Sequence, residues 1–148
     1  MVRGLRGAIT VPVDSPAEIL AATRELLLEL IRRNGLVPER VISAIFTATP
    51  DLRSEFPAAA ARQIGWDAVP IIDAVEIDKP GALPRCVRVL IHVEMEPGVE
   101  PVHVYLREAV SHRPDRAAAP PARERPPKAG DEADFPGVGM ETPRCDKV

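Results

Sequence analysis

Between Cys86 and Met95 the chain alternates with period two: Val87, Val89, Ile91, Val93 and Met95 share one face, and Cys86, Arg88, Leu90, His92 and Glu94 the other. This is the pattern of a strand with one face in a core. Its other face carries Arg88 between two valines, where a guanidinium must reach solvent along its stem, pair with a carboxylate or meet an anionic ligand. Upstream, residues 2–11 read as a first strand whose glycines predict a bulge or a close backbone approach. Ser15-Pro16-Ala17-Glu18 then opens a helix as a capping box with proline at the first helical position. Ile19, Leu20, Thr23, Leu26, Leu27, Leu30 and Ile31 keep a 3.6-residue apolar stripe until Asn34-Gly35 stops it.

Pro38-Glu39-Arg40 predicts a single helical turn, and the apolar run 41–48 a buried strand. After the turn Thr49-Pro50-Asp51-Leu52, residues 57–64 form a short alanine-rich helix closed by Gly65, with Trp66 anchoring its packing. Residues 69–75 are a short strand that Pro70 confines to an edge or a strand start. Residues 102–110 alternate as a fifth strand, predicted to pair with 86–95 as a hairpin across a longish loop. The order β, α, β, short α, β, β, β defines an α+β (mixed α/β) fold, a five-stranded mixed sheet with one long and one short helix on one side. So few helices leave the other face of the sheet uncovered, which predicts oligomerisation.

Composition changes the picture after Arg113. From Pro114 onward there are seven prolines, mixed charges and one aromatic residue, Phe135, too little apolar surface to offset the entropy of ordering. The 148 residues therefore divide into one folded domain, 1–114, and a Pro/Ala-rich tail, 115–148, predicted to be disordered. A net charge of -3 with scattered basic residues excludes the electrostatic footprint of a nucleic-acid or anionic-membrane binder. No stretch has the length of a signal-peptide core or a membrane span, which predicts a cytoplasmic protein. Cys86 and Cys145 make neither a disulfide framework nor a CxxC motif, and His92, His103 and His112 lack metal-ligand spacing, so no metal is expected.

Nucleophile and phosphate motifs are missing: there is no GxSxG, no Cys-His pairing, no P-loop and no GxGxxG after a strand. What remains at strand and helix ends is Arg6, Arg62, Asp73, Glu76, Arg88, Tyr105 and Arg113. Guanidinium forks hold carboxylates and carboxylates accept from hydroxyls, so the set suits a small anionic ligand bearing a hydroxyl. These residues alone leave an enzyme and a binding module both open.

The runs Arg3-Gly4-Leu5-Arg6-Gly7-Ala8, Thr47-Ala48-Thr49-Pro50-Asp51-Leu52, Phe56-Pro57-Ala58, Gly65-Trp66, Val69-Pro70, Cys86-Val87-Arg88-Val89 and His103-Val104-Tyr105-Leu106, in this order, resemble the compact trimeric class of monofunctional chorismate mutases. The resemblance runs from Val2 to about Pro114 and implies a pseudo α/β-barrel homotrimer with active sites in clefts between subunits. It implies conversion of chorismate to prephenate by a [3,3] (Claisen) rearrangement, a step of phenylalanine and tyrosine biosynthesis that uses no cofactor. By the same resemblance, Arg88 reaches the substrate's ether oxygen, Arg6 a carboxylate with Tyr105 beside it, and Glu76 the ring hydroxyl. Phe56, Ala58 and Arg62 match a wall contributed by a neighbouring subunit, and Arg113 a residue at the mouth. Asp73 stands where a well-known member has cysteine, still offering a polar contact to the ring hydroxyl, and Ala59 where it has lysine, removing a charge at the rim. The rival readings are an enzyme resembling the trimeric imine deaminases and a non-catalytic dicarboxylate sensor.

Overall fold

The computed structural model describes residues 1–112; the tail at 115–148, the domain boundary at 114 and Arg113 lie outside the described residues. Five strands, β1 (Val2–Thr10), β2 (Val41–Ala48), β3 (Ile71–Val75), β4 (Cys86–Glu94) and β5 (Val104–Leu106), form one mixed sheet in the order β3-β2-β4-β1-β5. β4 runs antiparallel to both β1 and β2, while β3 is parallel to β2 and β5 parallel to β1. Two helices, α1 (Pro16–Asn34) and α2 (Ala58–Gln63), complete the frame, with a 3-10 turn at Pro38–Arg40 and a 3-10 segment at Arg107–His112.

The ends of α1 follow from their residues. Ser15 Oγ accepts from the Glu18 N–H at 3.2 Å, while the Ser15 N–H is taken by Val13 O rather than by the Glu18 side chain. At the other end Gly35 adopts φ 61, a left-handed conformation that glycine reaches without a Cβ penalty. Ile19, Ala22, Thr23, Leu26, Leu27 and Leu30 are the buried stripe, packed in one core with Leu5, Ile9, Phe46, Val87, Val89, Ile91 and Val93 from the sheet. All of α1's apolar face is thus spent on one side of the sheet.

The fifth strand and its pairing are corrected. Residues 102–110 are not one strand and do not pair with β4; β5 has three residues and lies parallel to β1 on its far edge. Arg107 takes φ 54, and the chain curls over the end of β1, where Thr10 O accepts from Arg107 Nη1 and Thr10 Oγ1 from the Glu108 N–H. Of the two readings of the glycines in β1, the close approach holds and the bulge does not: the register with β4 is continuous, and among the described residues the irregularity between paired strands lies in β2 between Val41 and Ser43. Gly7 instead makes room for α1: a Cβ there would lie 2.9 Å from Leu30 Cδ1 and 3.0 Å from Leu26 Cδ1. Pro70 sits where expected, just before the edge strand β3.

Candidate active site

On the sheet face away from α1, strand register aligns a row of side chains. Arg88 on β4 is the cross-strand partner of Thr47 on β2 and of Ala8 on β1, and Ala8 is in turn the partner of Tyr105 on β5. Paired residues project to the same side of a sheet, so Thr47, Arg88 and Tyr105 share one face, with Ala8, buried against Cys86 and Tyr105, between the arginine and the tyrosine. The next row brings Ile45, Leu90 and Arg6 together. Glu76, one residue beyond β3, is drawn in by its N–H bond to Ala48 O at 2.9 Å.

Glu76 closes the row. One carboxylate oxygen accepts from Arg88 Nη1 at 3.0 Å and the other from Thr47 Oγ1 at 2.7 Å. Its side chain is only 12% exposed against 35% for Arg88, so the carboxylate is shielded while the guanidinium still faces an opening. That opening is a cavity of about 990 Å³ lined by Arg6, Thr47, Glu76, Lys79, Arg88 and Leu90. Three cations against one already paired carboxylate give it a net pull on anions.

The start of β4 is held firmly, which fixes where Arg88 points. Thr49 Oγ1 accepts from the Cys86 N–H at 2.9 Å and donates to Asp51, whose other oxygen takes the Arg85 N–H at 2.9 Å. Arg85 itself stands at φ 47 and bonds Val11 O through Nε at 3.0 Å. Cys86 on the cavity-facing side is buried, and burial pushes its thiol up to about 11 against the opposing effect of Arg88. It is a packing residue, not a nucleophile. His92 is likewise tied down, to Ser43 Oγ at 3.0 Å, and His103 Nδ1 accepts from the Arg6 N–H at 3.0 Å.

Of the residues expected at the site, Arg6, Glu76 and Arg88 line this cavity. Tyr105 shares their face of the sheet by register but packs beside the cavity, against Ala8 and Cys86, rather than lining it; its hydroxyl is shielded from solvent and has no hydrogen-bond partner among the described residues. Four of the remaining five are elsewhere. Asp73 is the partner of fully buried Phe46 and therefore faces the α1 and α2 side, where its Oδ1 accepts from the Ala58 N–H at 3.0 Å. Burial pushes its carboxyl up, and the Ala58 N–H and the nearby Arg62 pull in the other direction. Ala58, the first residue of α2, is buried, while Phe56 is 66% exposed and Arg62 is exposed. Arg113 lies outside the described residues. The residues missed from sequence are Thr47, Lys79 and Asp51. Thr47 had a signal, a hydroxyl at an alternate position of a mostly apolar strand, but its partner Glu76 could not be read from spacing.

Fold and cavity together define a small α+β protein with a preformed cationic cleft for a small anionic molecule. The family model for chorismate mutase type I matches residues 2–116. The chain is 53% identical over 121 residues to chorismate mutase AroH of Thermus thermophilus, covering 80% of this chain and 99% of that protein. It is 43% identical over 117 residues to chorismate mutase AroH of Bacillus subtilis (strain 168), covering 78% and 92% respectively. A solved chorismate mutase from Clostridium thermocellum superposes with a TM-score of 0.71 at 43% identity, over 74% of this chain and 98% of that one. The chain belongs to the type I chorismate mutase family, and its activity is that of a chorismate mutase, an isomerase. Among the described residues no helix is long and apolar enough to cross a membrane.

Proposed function

We propose that the cavity beneath Arg88 is where chorismate rearranges to prephenate, with Arg88, Glu76 and Arg6 as its catalytic residues. The observation that carries this reading is the pairing of a part-exposed guanidinium with a shielded carboxylate in one cleft, beside a second arginine. A [3,3] rearrangement passes through one cyclic transition state and asks for no nucleophile or proton relay. The protein has two tasks. Arg6 and Arg88 grip the two substrate carboxylates and hold the enolpyruvyl group over the ring, an orientation effect. As the C–O bond lengthens, negative charge grows on the ether oxygen, and a preorganised Arg88 meets it more strongly in the transition state than in the substrate. Glu76 accepts from the ring hydroxyl with the lone pairs that Arg88 and Thr47 leave open, and the Tyr105 hydroxyl, without a partner among the described residues, supports a role beside the carboxylate held by Arg6.

The site is completed by a second copy of the chain in a homotrimer. Support comes from the separation of Phe56 and Arg62 from the cavity and from exposed Ile72, at 61%, on the face that α1 leaves bare. In this reading Asp73 serves a neighbour's cleft together with Ala58 and Arg62, Arg113 lies at the mouth, and the catalytic unit ends near residue 114. The setting is the cytoplasm, as a step toward phenylalanine and tyrosine. Purified protein mixed with chorismate is the direct test: its ultraviolet absorbance should fall as prephenate appears, and no turnover at high enzyme concentration rejects the reading. Truncation after Pro114 should leave the kinetics unchanged.

A further inference from the structure

A carboxylate beside Arg88 poses a problem for a site that stabilises a developing oxyanion. Guanidinium and carboxylate groups prefer two parallel N–H···O bonds, and a two-pronged Glu76–Arg88 pair would occupy two donors of the group that must meet the ether oxygen. The observed contact is single: Arg88 reaches Glu76 only through Nη1 to Oε2, at 3.0 Å. The other oxygen, Oε1, is held at 2.7 Å by the Thr47 hydroxyl. Thr47 and Arg88 are cross-strand partners on β2 and β4, so two rigid neighbouring strands set both ends of this arrangement.

We propose that Thr47 is a positioning residue for the reaction: its hydroxyl holds one Glu76 oxygen, keeps the Glu76–Arg88 contact single, and so leaves the remaining Arg88 N–H donors free for the substrate. The inference rests on the reading above, in which Arg88 faces the ether oxygen and Glu76 the ring hydroxyl. Removing the hydroxyl frees Oε1 to swing toward the guanidinium. The penalty then falls on the transition state, where the oxygen carries most charge, and appears in kcat more than in KM.

The test compares full-length Thr47→Val, which keeps shape and strand propensity without the hydroxyl, with Thr47→Ser, which keeps the hydroxyl; Thr47→Ala replaces valine if that variant does not fold. In T47V, kcat should fall about tenfold with KM within about threefold of wild type, while T47S stays within about threefold in kcat. In a Glu76→Ala background, assayed at enzyme concentrations that keep turnover above the uncatalysed rate, adding T47V should change kcat by less than about twofold, because no carboxylate remains to be restrained. Wild-type kcat in T47V, equal damage in T47S and T47V, or the same loss with and without Glu76 would each overturn the proposal. Arg88→Ala separates the two levels. Near wild-type turnover there removes the reading of the site itself, whereas low activity in R88A and E76A with an unaffected T47V removes only the role of Thr47.

Discussion

The two halves of the candidate site have opposite structural characters. The Arg88 half is internally satisfied: Glu76, Thr47 and Arg88 bond to one another across adjacent strands, and the start of β4 is clamped by Thr49 and Asp51. The α2 half is outward-looking, with Phe56 66% exposed and Asp73 turned to the helix side of the sheet. The first half is preorganised by its own chain. In the proposed reading the second becomes part of a cleft only when another copy of the chain stands opposite, which would couple activity to assembly.

The largest effect should come from the preorganised half. Arg88→Ala is expected to leave the fold intact and to cost at least ~3 kcal/mol of transition-state stabilisation, read as kcat/KM for chorismate. The exposed half should be less sensitive: Arg62→Ala is expected to raise KM by about tenfold with a smaller change in kcat, since a rim cation acts mainly on binding. If R62A matches R88A in kcat, the contrast between the halves is lost. Tyr105→Phe sharpens the comparison differently. It removes a shielded hydroxyl with no partner among the described residues, so thermal stability should rise by up to about 1 kcal/mol while KM rises a few-fold. An unchanged KM there would leave the hydroxyl without a function.

Smaller effects mark what lies outside both halves. Gly7→Ala drives a methyl into Leu26 and Leu30; because leucine tips can yield, it should cost about 1–2 kcal/mol in denaturant unfolding and leave kcat per folded molecule unchanged. The smallest concerns Glu29, whose carboxyl is held at about 2 by hydrogen bonds from Arg32 and Arg33. Its folded value is depressed, so its contribution is present above the ordinary value of 4.5 and is lost as pH falls toward about 2. Wild-type stability should therefore decline in that window by under about 1 kcal/mol more than that of Glu29→Gln, as suits a partly exposed pair.

How much of this was legible from sequence depended on whether a signal was local. The alternation in β4 and the caps of α1 were readable because each reports burial or hydrogen bonding within a few residues. Residues 102–110 alternate too, but alternation reports a face and not a neighbour, so the parallel partner β1 and the turn at Arg107 were invisible. Gly7 showed that something approaches closely without showing that it is a leucine pair. Arg88 stood out as a charge with no local excuse, yet its bond to Glu76 spans a strand pairing and a loop, and the reach of Thr47 into the same carboxylate was hidden for that reason. Asp73 followed the motif in sequence, but its register with Phe46 turns it to the helix side.

The decisive measurement is complementation between the halves. Arg88→Ala and Arg62→Ala chains carrying different tags are co-expressed and the mixed oligomers isolated. If each cleft of a trimer takes Arg88 from one copy and Arg62 from the next, an isolated mixed trimer, whichever chain is in excess, holds both arginines in one of its three clefts, and kcat/KM should recover to about a third of wild type. A mixed oligomer no more active than the average of its two parents would place both arginines in the same chain's site and contradict a cleft shared between copies.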